Sequence, residues 1–148
     1  MKVSIIVNPQ RNSSLIDALT SVWETSVTET HHFLTKTDIS HLKPYAAQGL
    51  KAIPLLAIAM ADNKPIGFIG IAEKKVEMLF VAPNHIGQHI GSQLMQWAKD
   101  KGIKYIDVNE QNPKAVDIYR HWGFQVYERT ENDEQGNSFP ILKMRLND

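Results

Sequence analysis

The stretch that decides the fold runs from Val76 to Phe124, VEMLFVAPNHIGQHIGSQLMQWAKDKGIKYIDVNEQNPKAVDIYRHWGF. Lys75–Val81 is short and apolar and reads as a strand. A polar loop follows Pro83, and Ile90, Leu94, Trp97 and Ala98 then recur at i, i+4, i+7 and i+8, a helix that closes near Gly102. Tyr105–Asn109 is the next strand. Pro113 suits the first turn of a second helix, along which Ala115, Ile118, Tyr119 and Trp122 share one side until Gly123 stops it. Within this run the loop Asn84–Ser92 joins a strand to a helix start and carries Gly87 and Gly91. Free backbone N–H groups and the positive dipole end make such a start receptive to phosphate.

Working outward, Ile53–Met60 and Pro65–Glu73 read as two more strands around the turn Ala61-Asp62-Asn63-Lys64. Lys2–Val7 is a first strand. Asn8–Ser14 is turn chemistry ending in a serine that can cap a helix, whose face is Leu15, Leu19, Val22 and Trp23. Thr37 or Asp38 can cap a second helix with Ile39, Leu42, Tyr45 and Ala46 on one side, which Pro44 would kink. Phe124–Arg129 and Phe139–Leu146 close the chain. The predicted order is β-α-α-β-β-β-α-β-α-β-β, an α/β (α+β) arrangement with helices on both faces of a mixed sheet.

The 148 residues fit one domain, 1–148, with 43% hydrophobic and 22% charged residues. Sixteen Lys and Arg balance sixteen Asp and Glu, so no overall field draws the chain to nucleic acid or an anionic membrane. With no cysteine there is no disulfide scaffold, thiolate metal site or cysteine nucleophile. The apolar run Ala52–Ala61 is about half the ~20 residues that span a bilayer and is broken by Pro54. The first residues, MKVSIIVNPQR, lack the pattern of a signal peptide, and a cytoplasmic location is predicted.

LFVAPNHIGQHIGSQLMQWA and VNEQNPKAVDIYRHWGF resemble the acetyl-CoA motif and the downstream motif of the GCN5-related N-acetyltransferase (GNAT) family. The whole chain, including Trp23, Thr30-His31, Phe33-Leu34 and the tail NDEQGNSFPIL, resembles the small bacterial YjaB-type branch. The resemblance implies the GNAT fold, a mostly antiparallel mixed sheet of about seven strands, and acetyl transfer from acetyl-CoA to a primary amine. It implies donor contacts from Leu79, Phe80 and Val81, from the loop Ile86, Gly87, Gln88, His89, Ile90, Gly91 and Ser92, and from Asn112. Two loop positions depart from the family's Arg/Gln-x-x-Gly-x-Gly/Ala: Ile86 stands for Arg or Gln, and His89 for a glycine. His85 or His89 can add charge there when protonated.

By the same resemblance Tyr119 is the acid near the CoA sulfur; a phenol is a credible proton donor to a leaving thiolate. Simple alternation puts Val76, Met78 and Phe80 on one face of the strand and Glu77, Leu79 and Val81 on the other. Glu77 then breaks an apolar strand and is the candidate base for the amine, with Glu110 as second choice. His31, His32, Phe33, Asn109 and Glu110 are the candidate acceptor-binding residues. Adjacent histidines cannot face one way on a strand and have no third ligand at metal spacing, so no metal is expected. The expected partners are acetyl-CoA and a small-molecule or protein amine, with the chain a monomer or homodimer. Two other readings start from the same residues. A module that senses acyl-CoA without turnover would follow from the Ile86 and His89 departures. Another nucleotide on a doubly wound sheet would want strands alternating with helices, where Ile53–Val81 holds three strands in succession.

Overall fold

A computed structural model describes residues 2–134 and 136–147. The chain runs β1 (Ser4–Val7), α1 (Ser13–Thr30), α2 (Lys36–Ala52), β2 (Leu55–Ala61), β3 (Lys64–Ala72), β4 (Lys75–Val81), a 3-10 turn at Pro83–His85, α3 (Ile90–Asp100), β5 (Tyr105–Asn109), α4 (Pro113–His121), β6 (Phe124–Thr130) and β7 (Ile141–Leu146). The seven strands form one sheet in the order β1-β2-β3-β4-β5-β7-β6. Every neighbouring pair is antiparallel except β4 and β5, which are parallel.

The helix starts differ from the sequence reading. Asn12, not a serine, caps α1, its side chain accepting from the Leu15 N–H at 2.9 Å. Thr35 caps α2 in a reciprocal capping box with Asp38, so Asp38 is the third helical residue and not the cap. Pro44 lies inside α2. Tyr45 is 58% exposed, and on α4 Val116 takes the buried position while Ile118 stays exposed. The apolar stripes drift because one turn holds 3.6 residues, which moves a fixed spacing off the sheet within two turns. Two tight turns link β2, β3 and β4. Asp62-Asn63 and Glu73-Lys74 both take positive φ, as two-residue antiparallel hairpins require, without any glycine.

One apolar cluster joins the sheet to α3 and α4 through Ile69, Val76, Leu94, Met95, Ile106 and Val116. A second joins it to α1 and α2 through Leu19, Trp23, Leu50, Ile58 and Phe68. β4 serves both, but not by the alternation its sequence suggests. Gly70 pairs with Met78 and Ile71 with Val76, so Glu77 is an extra residue without a counterpart on β3. The bulge resets the faces: Val76 packs with Leu79 and Val81 toward α3 and α4, whereas Met78 and Phe80 pack toward α1 and α2.

The ladder from β4 to β5 consists of Lys75↔Tyr105 and Val76↔Ile106 only. Beyond Val76 the strands part, while β5 remains fully paired to β7 from Tyr105 to Asn109. α3 is drawn close to the sheet at Gly67, where an added Cβ would meet the Phe80 carbonyl oxygen at 3.1 Å and Ile90 Cγ2 at 3.2 Å. A paired strand carbonyl cannot give way cheaply. Gly67→Ala should therefore destabilise the fold by about 1–3 kcal/mol, the usual cost of overpacking. A urea midpoint equal to that of the wild type would show that α3 is not seated by this contact.

Candidate active site

The parting of β4 from β5 opens a cavity of about 1050 Å³, at the upper end of the size of small-molecule sites and suited to a long ligand. Its walls are the strand residues of β4 from Val76 onward, β5 from Ile106 to Asn109, the start of α3, the inner side of α4 and the end of α1. Residues of β4 past Val76 have no partner strand on the β5 side, so their alternating N–H and C=O groups face this space unpaired by the sheet.

At one end the Asn84–His89 loop leads into α3. Gly87 has φ of +88°, open to glycine, and His89 is held in the left-handed region at φ 63°. This is the position where a glycine was expected by resemblance; histidine tolerates it better than most residues, at some cost in strain. His89 is also the residue before the helix, and its side chain makes no capping bond. The first amides of α3 are thus free of a side-chain cap, at the wall of the cavity. His85 Nδ1 lies 3.0 Å from Gln88 Oε1. At Gly91 an added Cβ would lie 3.7 Å from Trp122 Cη2, ordinary contact, so space does not demand glycine there.

α4 forms the opposite wall. Asn112 caps it, Oδ1 accepting from the Ala115 N–H at 3.4 Å, and lines the cavity as well. Two turns on, Tyr119 is wedged between Trp122 and Phe124, with ring centroids 5.8 and 6.3 Å away. Burial pushes its phenol up to about 12. Its side chain lines the cavity.

The bulge residue Glu77 also lines the cavity, on the side toward Lys75. Lys75 Nζ lies 2.7 Å from Asp107, 3.6 Å from Glu134 and 3.8 Å from Glu77. Partial burial raises the Glu77 carboxyl above the ordinary carboxylate range; Lys75 opposes the rise, and Glu134 and Asp107 add to it. His31 and His32 lie at the end of α1 and line the cavity. His31 accepts or donates at 2.8 Å with Thr30 Oγ1 and packs its ring against Phe33 and Phe80, centroids 5.4 and 6.3 Å away.

Of the residues singled out from the sequence, Leu79, Phe80, Val81, Ile86, Gly87, His89, Ile90, Gly91, Ser92, Asn109, Asn112, Tyr119, Glu77, His31 and His32 meet on this one cavity. Phe33, Gln88 and Glu110 are not on its wall. Phe33 stacks on Phe139 at 5.6 Å, and Glu110 is held on the surface by two hydrogen bonds from Arg129. Gln111, Lys114, Asp107 and His121 line the cavity and were missed. Asp107 carried the same signal as Glu77, a carboxylate inside an apolar strand; the other three lie where no local pattern distinguishes them from surface.

Burial, and then the neighbouring His32, lower the His31 pKa from 6.5 to about 4. The unfolded chain therefore takes up this proton first, so the contribution is intact above pH 6.5 and is lost as pH falls toward 4. Between pH 7.5 and 5 the wild type should lose up to about 2 kcal/mol through this group. His31→Phe, which keeps a ring, should remove that share of the loss; identical urea curves across pH for both proteins would contradict the assignment.

The profile of the Acetyltransferase (GNAT) domain matches residues 54–126. Peptidyl-lysine N-acetyltransferase YjaB of Salmonella typhimurium is 32% identical over 130 residues, spanning 86% of this chain and 89% of the relative. The solution structure of apo-form YjaB from Escherichia coli superposes with a TM-score of 0.87 at 29% identity, covering 98% of this chain and 97% of that one. The crystal structure of PaiA N-acetyltransferase from Thermoplasma acidophilum in complex with coenzyme A shares the fold, at a TM-score of 0.69 and 23% identity over 97% and 98% of the chains. A seven-stranded sheet split at its one parallel pair, a matching domain profile and a relative alike along most of its length lead to one conclusion: the chain belongs to the GCN5-related N-acetyltransferase family and is an acyltransferase.

Proposed function

We propose that the protein transfers the acetyl group of acetyl-CoA to the primary amine of a lysine side chain, by direct attack with donor and acceptor bound together. The observation that carries this reading is the unpaired edge of β4 beside the uncapped start of α3. One offers backbone donors to a thioester and its amide-bearing arm, the other binds phosphate. A cavity of about 1050 Å³ suits so long a donor. The lysine acceptor is suggested by the name of the Salmonella relative. The chain has no cysteine to carry an acetyl group between two half-reactions, which favours a single direct transfer.

In this reading the first amides of α3 hold the donor's pyrophosphate, and Asn112 fixes its arm through the amide group not used in capping. Backbone N–H groups of Leu79–Val81 stabilise the charge that develops on the thioester oxygen. The lysine nitrogen bonds to the acyl carbon as the carbon–sulfur bond breaks. Glu77 takes the proton that the nitrogen sheds; a carboxylate of raised pKa is a better base at neutral pH than an ordinary one. Tyr119 faces the leaving sulfur. A phenol near 12 is a weaker acid than a thiol near ~8.5, so it stabilises the thiolate mainly by donating a hydrogen bond, and solvent completes the protonation.

Tyr119→Phe should lower kcat by about 10²-fold, the low end of the cost of removing one hydrogen-bond donor to developing charge, with CoA affinity unchanged within threefold. Equal losses in turnover and CoA binding, read by calorimetry and thiol release with a lysine peptide, would overturn the role. For Glu77, activity should rise with pH as the carboxyl ionises, with its midpoint above the usual carboxylate range. Glu77→Gln should abolish that acidic limb in the kcat/KM profile; a limb that survives would assign the base elsewhere.

A further inference from the structure

Five of the chain's six histidines line one cavity: His31, His32, His85, His89 and His121. None of its arginines does, and among the described residues Lys114 is the only permanent cation on the wall. Four carboxylates share that wall, Glu29 from α1, Glu77 from β4, Asp107 from β5 and Asp117 from α4. With histidines neutral the lining is negative, a poor environment for a ligand that carries several phosphate charges. Ile86, on the loop before α3 and 56% exposed, supplies an apolar side chain where a fixed cation could have stood.

We propose that His85, His89 and His121 are donor-binding residues that supply the missing positive charge by taking up protons when an anionic CoA ligand binds. The inference rests on the acetyl-CoA reading above. His85 and His89 flank the uncapped start of α3, and His121 ends α4, just before Trp122, which packs against that start at Gly91. An amide oxygen can only accept, so with Gln88 Oε1 at 3.0 Å the His85 Nδ1 carries the hydrogen and Nε2 is the nitrogen open to a further proton. His89 is exposed and its side chain does not cap the helix, so the ring is uncommitted to the fold. His32 sits at the far end beside Glu29, whose backbone carbonyl it contacts, and His31 is kept neutral by burial. Histidine is the side chain that changes charge between pH 5 and 8, so phosphate charge placed beside it draws in protons. By linkage, affinity for CoA rises as pH falls through this range, with a slope equal to the protons taken up.

The experiment is calorimetric titration of the whole protein with CoA and with 3′-dephospho-CoA at pH 8 and pH 6. Each is run in two buffers of different ionisation enthalpy, so that proton uptake is counted directly. The dephospho ligand removes the titrating monoester, whose own charge loss near pH 6 works against the effect. The expected result is affinity for dephospho-CoA at least tenfold higher at pH 6, net proton uptake by the wild type, and a flattened slope in His85→Asn/His89→Gly/His121→Asn. Glycine at position 89 suits the left-handed backbone, and thermal melts check that the variant is folded. Binding with no pH slope and no proton uptake would overturn the histidine assignment and leave the acetyl-CoA reading standing. An unchanged slope in the folded variant would also overturn it. Absence of binding of either ligand at both pH values would overturn the acetyl-CoA reading and this inference together.

Discussion

The structure depends on one interruption, the end of parallel pairing between β4 and β5 after Val76↔Ile106. A sheet that simply continued would close the gap between its halves and with it this cavity. Two local features keep it open. The extra residue at Glu77 bends and twists β4 away from its straight course. On the other side, β5 is committed along its whole length to β7, five residues in register, so it cannot follow. Unpaired strand groups cost about 1–3 kcal/mol each if buried dry, so the parted strands must face water or a ligand with its own amide groups. The gap is thus a strand pairing left for something else to complete.

Each face of the sheet is covered by its own layer of helices. α1 and α2 cover one face through Leu19, Trp23 and Leu50, and α3 and α4 cover the other through Leu94, Met95 and Val116. Gly67 lets α3 settle against β3, and Lys99 Nζ reaches the Trp122 carbonyl at 2.8 Å, tying the end of α3 to the end of α4. The start of α3 and the ring of Tyr119 are therefore fixed relative to one another by packing some distance from the cavity. A donor held at its phosphates by one and at its sulfur by the other needs that fixed separation.

Most of the fold was legible because its signals are local. Strand and helix order, the loop before α3 and Pro113 at the start of α4 all follow from periodicity and capping chemistry. What escaped depends on partners far along the chain. Alternation put Val76 with Met78 and Phe80, but a bulge exists only with respect to the strand opposite, and nothing in VEMLFV marks it. Glu73-Lys74 form a glycine-free tight turn because β3 and β4 pair around them, against their own preference. In the site, motif residues such as Tyr119 and Asn112 could be named by resemblance. Lys75, Asp107 and Glu134 come from β4, β5 and the segment before β7, and meet only once the sheet is assembled. Glu110 shows the converse: adjacent to the motif in sequence, it turns outward to Arg129.

That assembled charge group bears on the direction of the proposed reaction. Lys75 faces three carboxylates, Glu77, Asp107 and Glu134, so the group is net negative at neutral pH even with its lysine counted. In that reaction an acceptor amine arrives as a cation and is attracted; partial burial raises the Glu77 pKa, against Lys75 and with Glu134 and Asp107 adding to the rise, and so favours proton transfer to it. Once acylated, the nitrogen is a neutral amide, and the attraction that brought it in no longer exists. Exposed charges act weakly through water, and Glu134 is 82% exposed, so most of this discrimination falls to the half-buried Asp107 and Glu77. In the proposed reaction, burial strengthens the base while the surrounding charge favours the unreacted amine over the neutral product.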